Sequence, residues 1–215
     1  MSQLQTDKYT VAWFKLAEFV ARKEKERALG IYRLLTHSLH DQAAAYQLEG
    51  DLFFAFADAK AFDSYTKAAE LYEQQGKYIQ AVAIYEHFIT VNPLEIAYAQ
   101  KLFSLACLMD LENKKQRALA LWAQAQAHRI MEYNECSSSF EETIGDLELH
   151  HKIQLYEYRA LALVEKNYKG SNTYIEHVLK YIKQSLVFTN DSFIARLDAL
   201  NAQMAQYARE YARSL

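Results

Sequence analysis

From Tyr9 to Arg213 apolar residues recur at helical spacing with only short breaks, and little in the chain can make a tight turn. There are five glycines and one proline among 215 residues. Sheet-rich folds need Gly, Pro and Asn at many turn positions, so this scarcity argues for long helices joined by short polar connections. With 51% hydrophobic residues the chain can bury a substantial core. The spacing predicts an all-α fold of about ten helices, near residues 8–23, 25–38, 41–57, 58–75, 78–91, 93–110, 113–133, 139–167, 172–188 and 191–213.

The breaks carry capping residues. Asp41 and Asp58 stand where a side-chain oxygen accepts the first free N–H groups of a helix. Asn92-Pro93-Leu94-Glu95 has an N-cap, a first-turn proline and a reciprocal acid in order, and Asn113 suits another cap. Ser139 with Glu142, and Thr173 with Glu176, match capping boxes.

Four helices repeat one pattern: Ala28-Tyr32-Leu35, Ala61-Tyr65-Ala68, Ala81-Tyr85-Phe88 and Ala118-Trp122-Ala125. Offsets of zero, four and seven put the three side chains on one face. The small Ala lets a neighbouring helix approach, and the aromatic fills the space beside it. The most complete copy runs Tyr65-x2-Ala68-Ala69-x2-Tyr72-x3-Gly76-x-Tyr78-x2-Ala81-x3-Tyr85-x2-Phe88-x4-Pro93. It resembles a tetratricopeptide repeat (TPR). Trp13-x2-Leu16-Ala17-x2-Val20 with Ala28-x3-Tyr32, Gly50 with Phe53 and Ala61-x3-Tyr65, and Leu102-x2-Leu105-Ala106 with Ala118-x3-Trp122 are more degenerate copies. Together they cover roughly residues 9–130.

The resemblance implies a right-handed helix-turn-helix solenoid over residues 8–133, with a C-terminal helical extension over 139–213. Helix 58–75 fits both the second-helix role of one copy and the first-helix role of the next, so its phase stays open. In the resembled family, inward-facing residues of the first helices hold an extended peptide or a partner helix. The corresponding residues here are Phe14 and Glu18, then Gln47, Asp51 and Phe54, and, if helix 58–75 serves as a first helix, Thr66, Glu70 and Glu73. Members that grip a C-terminal carboxylate carry Lys and Asn at such places, and that clamp is absent. An aromatic, acidic groove suits a basic and apolar segment of another protein.

In the last predicted helix, Phe193, Leu197, Leu200, Met204, Tyr207 and Tyr211 alternate steps of four and three, forming a narrow stripe of coiled-coil type. It serves either to cap the end of a helical array or to assemble the chain into a homo-oligomer.

Charge is unevenly distributed. Residues 41–112 hold eleven acids and four bases, whereas residues 150–215 hold nine bases and six acids. Single-strand binders combine stacking aromatics with a basic groove, so the acidic middle assigns the sixteen tyrosines to packing and speaks against a nucleic-acid partner. Chemistry is sparsely signalled. Glu148-x2-His151 is one Glu-x-x-His where a di-iron bundle needs two, and no metal or other cofactor is expected. His37-x2-His40 suits a helix end, there is no Cys-x2-Cys or glycine-rich phosphate loop, and Cys107 sits in an apolar run. Cys107 and Cys136 read as free thiols, MSQLQTDKYT lacks a signal-peptide core, and LFFAFA at 52–57 is too short to cross a bilayer. The expectation is a cytoplasmic, non-enzymatic adaptor or chaperone without membrane insertion. A self-assembling structural subunit is the alternative, and an enzyme with a site in the C-terminal helices a more distant one.

Overall fold

The computed structural model describes residues 2–37, 39–133 and 144–215, with side chains from residue 10 onward. The described residues form eleven α-helices and no strand: α1 (Ser2–Ala21), α2 (Lys25–Thr36), α3 (Gln42–Ala55), α4 (Lys60–Gln74), α5 (Tyr78–Val91), α6 (Ile96–Leu108), α7 (Glu112–Tyr133), α8 (Leu149–Glu165), α9 (Ser171–Ile182), α10 (Asn190–Leu200) and α11 (Ala202–Ser214). In the N-terminal unit α1 packs on α2, α2 on α3, and α3 on α4. No described helix is long and apolar enough to cross a membrane. Two compact units emerge, Met1–Phe88 and Ile89–Leu215. The boundary expected between residues 133 and 139 is a different one and lies mostly outside the described residues.

Every member of the four Ala-aromatic-apolar triplets is buried. The pattern therefore marks the packed face of α2, α4, α5 and α7. In the N-terminal unit, Leu16, Ala28, Tyr32, Leu35 and Leu52 form a cluster, with Phe19, Val20 and Phe56 packed against it. Around Phe88, which is fully buried, Phe62 stacks at 5.4 Å while Tyr65 and Tyr85 present edges at 5.9 and 6.3 Å.

Gly76 does what its position predicts. At φ +70° it follows the end of α4; its N–H donates to Glu73 O and the Lys77 N–H to Tyr72 O, closing the paired bonds of a Schellman turn. The same turn recurs without glycine. Lys23, Ala57, Asp110 and Asn167 take positive φ, with the corresponding bonds from each residue and its successor. Lys23 and Ala57 are 34 residues apart, as are Gly76 and Asp110. The remaining intervals, from Ala57 to Gly76 and from Asp110 to Asn167, are 19 and 57 residues, and the arrangement is compatible with a helical repeat. Helix α4 lies between two such turns, at Ala57 and Gly76. Ion pairs hold two of these turns: Lys25 Nζ lies 2.6 Å from Asp58, and Lys77 Nζ 2.6 Å from Asp41. Both aspartates sit below the usual carboxylate range, chiefly through the hydrogen bonds from those lysines.

Several boundaries differ from expectation. Asp41 caps α3, accepting from Ala43 N, and Asp58 accepts from Lys60 N, as predicted. Asn92-Pro93-Leu94, however, forms a turn, and Glu95 caps α6, because its own backbone is extended and its carboxylate accepts from Ala97 N. Asn113 lies inside the first turn of α7. Gly170 rather than Thr173 precedes α9, and the Ser139–Glu142 box lies outside the described residues.

In the C-terminal unit, α6 packs on α7, α7 on α8, and α8 on α9 and α10. The single helix expected over 191–213 is two helices. Asn201 leaves helical geometry at φ −159° and ψ 105°, and its side-chain oxygen accepts from Gln203 N and Met204 N at 3.1 and 3.2 Å. An Asn carboxamide meets the free N–H groups of a new helix well, which allows the break without Gly or Pro. The α10 and α11 helices then fold onto each other, and the expected continuous stripe is divided between them.

Candidate binding cleft

The cleft begins with a close approach. A Cβ on Gly50 would lie 2.6 Å from the Tyr65 ring, so only glycine there lets the ring of α4 settle on α3. This brings the Tyr65 hydroxyl to Asp51, one residue further along α3, where it donates to Oδ1 at 2.7 Å. Burial, then the bond to that carboxylate, pushes the phenol pKa well up, so Tyr65 is a fixed donor rather than a nucleophile. From α5, His87 inserts between two rings, edge-on to Phe54 at 4.8 Å and to Tyr65 at 5.2 Å. Its Nε2 is enclosed without a hydrogen-bond partner.

Gln47, Asp51 and Phe54 lie at i, i+4 and i+7 on α3 and share one face. With Tyr65, Ala83, Ile84 and His87 they line an open cleft of about 350 Å³ within the N-terminal unit. Its walls are aromatic and aliphatic, and Asp51 puts a carboxylate at the edge. The arrangement suits an alkyl or cationic side chain.

Of the eight groove residues inferred from sequence, the structure brings Gln47, Asp51 and Phe54 together at this cleft. The other five do not line it. Phe14 is 73% exposed on α1, where Glu18 pairs with Arg22 at 2.7 Å. On α4, Thr66 is half-buried and Glu70 exposed, while Glu73 accepts the Tyr85 hydroxyl at 2.7 Å. Gln47 has a second duty, accepting the Tyr72 hydroxyl at 2.9 Å. The α5 contributors, Ala83, Ile84 and His87, were not among the sequence candidates. Their helix shows mainly its packed Ala81-Tyr85-Phe88 face in the pattern, and a His beside a core Phe gives no spacing signal.

The six stripe residues have separate fates. Phe193 and Leu197 are buried within the C-terminal unit, Leu200 is exposed, and Met204, Tyr207 and Tyr211 are half-buried. Tyr207 donates to Glu176 on α9, which raises its pKa to about 12. Cys107 is half-buried, and burial raises its thiol pKa, in keeping with an inert thiol; Cys136 lies outside the described residues. The Glu-x-x-His pair at the start of α8, Glu148 and His151, is joined by His150.

Comparison with known proteins leaves the site to its own chemistry: no family model matches the chain, and neither a curated protein nor a solved structure matches it significantly.

Proposed function

We propose that this chain is a non-enzymatic, TPR-like helical-repeat protein, an adaptor or chaperone, that binds an extended or helical segment of another protein at the cleft of α3, α4 and α5. The observation that carries the reading is the cleft itself, in which Phe54, Tyr65 and His87 form a wall beside the Asp51 carboxylate. Recurrence of the left-handed turn at 34-residue intervals supports the repeat assignment. A cationic side chain flanked by an apolar one fits the cleft: the cation pairs with Asp51, and the apolar neighbour covers Phe54. Self-assembly through the C-terminal stripe is less favoured, because Phe193 and Leu197 are already buried inside the unit that carries them.

A peptide array screened with the full chain tests the reading. Peptides pairing Arg or Lys with an apolar residue are expected to bind better than acidic or purely polar ones. Phe54→Ala should then weaken the best of them by about tenfold, the effect of a modest anchor residue. Equal retention of acidic peptides, or affinity unchanged in Phe54→Ala, would remove the cleft from consideration.

A further inference from the structure

A second site lies in the C-terminal unit, at the first turn of α8, and rests on different residues. Glu148 is the N-cap of α8, yet its side chain makes no capping bond; its Oε2 lies 3.2 Å from His150 Nδ1. The rings of His150 and His151 are 3.7 Å apart between centroids, although consecutive helical residues diverge by about 100°. His151 is half-buried and set edge-on against Phe103 of α6, at 5.0 Å and 86°. One atom from each of Glu148, His150 and His151 lies within 4.8 Å of the others.

We propose that Glu148, His150 and His151 bind a borderline divalent transition-metal ion of the zinc class, through two imidazole nitrogens and one carboxylate oxygen. Two imidazoles with a carboxylate form a donor set that suits such ions and disfavours Ca²⁺ and Mg²⁺, which take oxygen ligands. Around a tetrahedral zinc, bonds of about 2.0–2.2 Å separate ligand atoms by about 3.3 Å. Closing from the present spacing needs movement only at Glu148 and His150, both exposed, while Phe103 holds His151.

The surrounding charge leaves room for a dication. Asp110 and Glu112, from the turn between α6 and α7, act on the same neighbourhood as Glu148. The nearby ammonium, Lys115, is paired with those two acids, at 2.8 Å to Asp110 and 3.5 Å to Glu112. A second ammonium, Lys152 beside His151, is drawn onto Gly145 O at 2.7 Å, so the three carboxylates offset the two ammoniums and the roughly half-unit positive charge at the N-terminus of α8. Three protein ligands leave a coordination position open to water, so the site would take its metal from solution and present it to solvent.

The test uses the full-length chain, stripped with a chelator and titrated with Zn²⁺ by calorimetry at neutral pH. One equivalent is expected to bind and to raise the melting temperature, as any ligand specific to the folded state does. His150→Ala and Glu148→Gln alter exposed side chains and should retain parental helicity by circular dichroism. Each should weaken binding at least by the roughly 10- to 100-fold that outer-sphere partners alone contribute. His151→Ala should do the same, whereas His128→Ala, on α7 and outside the trio, should leave affinity unchanged. No saturable binding, or binding unaltered in both His150→Ala and Glu148→Gln, would overturn the assignment. Equal affinity in the urea-unfolded chain would also overturn it, since adjacent histidines would then chelate without help from the fold.

Discussion

Both units join helices through tyrosine hydroxyls, but among the described residues they differ in what they enclose. In the N-terminal unit, tyrosines are buried and their partners sit nearer the surface: Tyr65 reaches Asp51, Tyr72 reaches Gln47 and Tyr85 reaches Glu73. In the C-terminal unit, charge itself is enclosed. Glu157 is 2% exposed and is paired with Arg196, while Arg159, 1% exposed, has its guanidinium 4.9 Å from the Tyr156 ring and 5.0 Å from that of Tyr174. A carboxylate at the surface can hold a tyrosine and still meet a ligand, so the first unit can combine structure with recognition. An enclosed carboxylate has no such freedom, and its task is to fix how helices seat on one another.

That contrast breaks most sharply at Arg196. Removing one partner of a buried pair leaves the other charge uncompensated, typically at 3–5 kcal/mol. The Arg196 side chain is 39% exposed, which moves the expectation for Arg196→Ala to the lower end, about 3 kcal/mol, readable as a shift of the urea midpoint. The penalty should depend on pH. Burial raises the Glu157 pKa, and Arg196 opposes that rise, so the variant's carboxyl titrates higher still. An acid with a raised folded pKa contributes stability that is full below its unfolded value and lost as pH rises through the folded one. The deficit against the parent should therefore shrink as pH falls from 7 towards about 4. An equal deficit at both ends would mean that the loss is one of packing, and the contrast between the units would fail.

The units also differ in how far their sequences disclose them. The Ala-aromatic-apolar triplets identified buried faces because small and large residues at fixed offsets are a direct imprint of helix packing; all twelve residues are buried. The two 34-residue intervals between turns were hidden. Of the four residues that mark them, Lys23, Ala57, Gly76 and Asp110, only Gly76 is a residue type that announces positive φ. The packing around the other three sustains a conformation that costs an L-residue roughly 1–2 kcal/mol. Asn201 could have been read as a cap, but the flanking Leu, Ala and Gln are good helix formers and the apolar stripe continued across it. At the cleft, three of the lining residues, all on α3, are among those the resemblance singled out, while His87 depended on how α5 packs. The two histidines beside Glu148 were visible in sequence as a single Glu-x-x-His, and the fold adds the convergence of their rings.

The packed face of α5 offers a sharper comparison within one helix. Ala81 is fully buried, and Ala81→Leu should overpack its helix contact at about 1–3 kcal/mol. Two residues further on, Ala83 is exposed at the cleft. Ala83→Leu should change stability by no more than about 0.5 kcal/mol, as at most surface positions, while reducing room for a ligand. Thermal melts of the pair read the difference. Similar melting temperatures would show that the two faces of α5 are not distinguished as described.

The smallest effect concerns the dual role of Asp51. Tyr65→Phe keeps the ring on Gly50 and removes only the hydroxyl that donates to Asp51. Because Asp51 is exposed, water can replace the lost donor, and the expected cost is a net hydrogen bond of about 0.5–1.5 kcal/mol. Asp51→Asn retains an acceptor and should cost less. In the double variant the two losses should fall short of their sum, since both act on one bond. Ligand affinity should move the other way: Tyr65→Phe releases one carboxylate oxygen and should strengthen binding of a cationic peptide, whereas Asp51→Asn should weaken it. If both substitutions changed affinity in the same direction, Asp51 would be acting through the position of Tyr65 rather than through its charge, and its carboxylate would serve structure alone, as the enclosed Glu157 does.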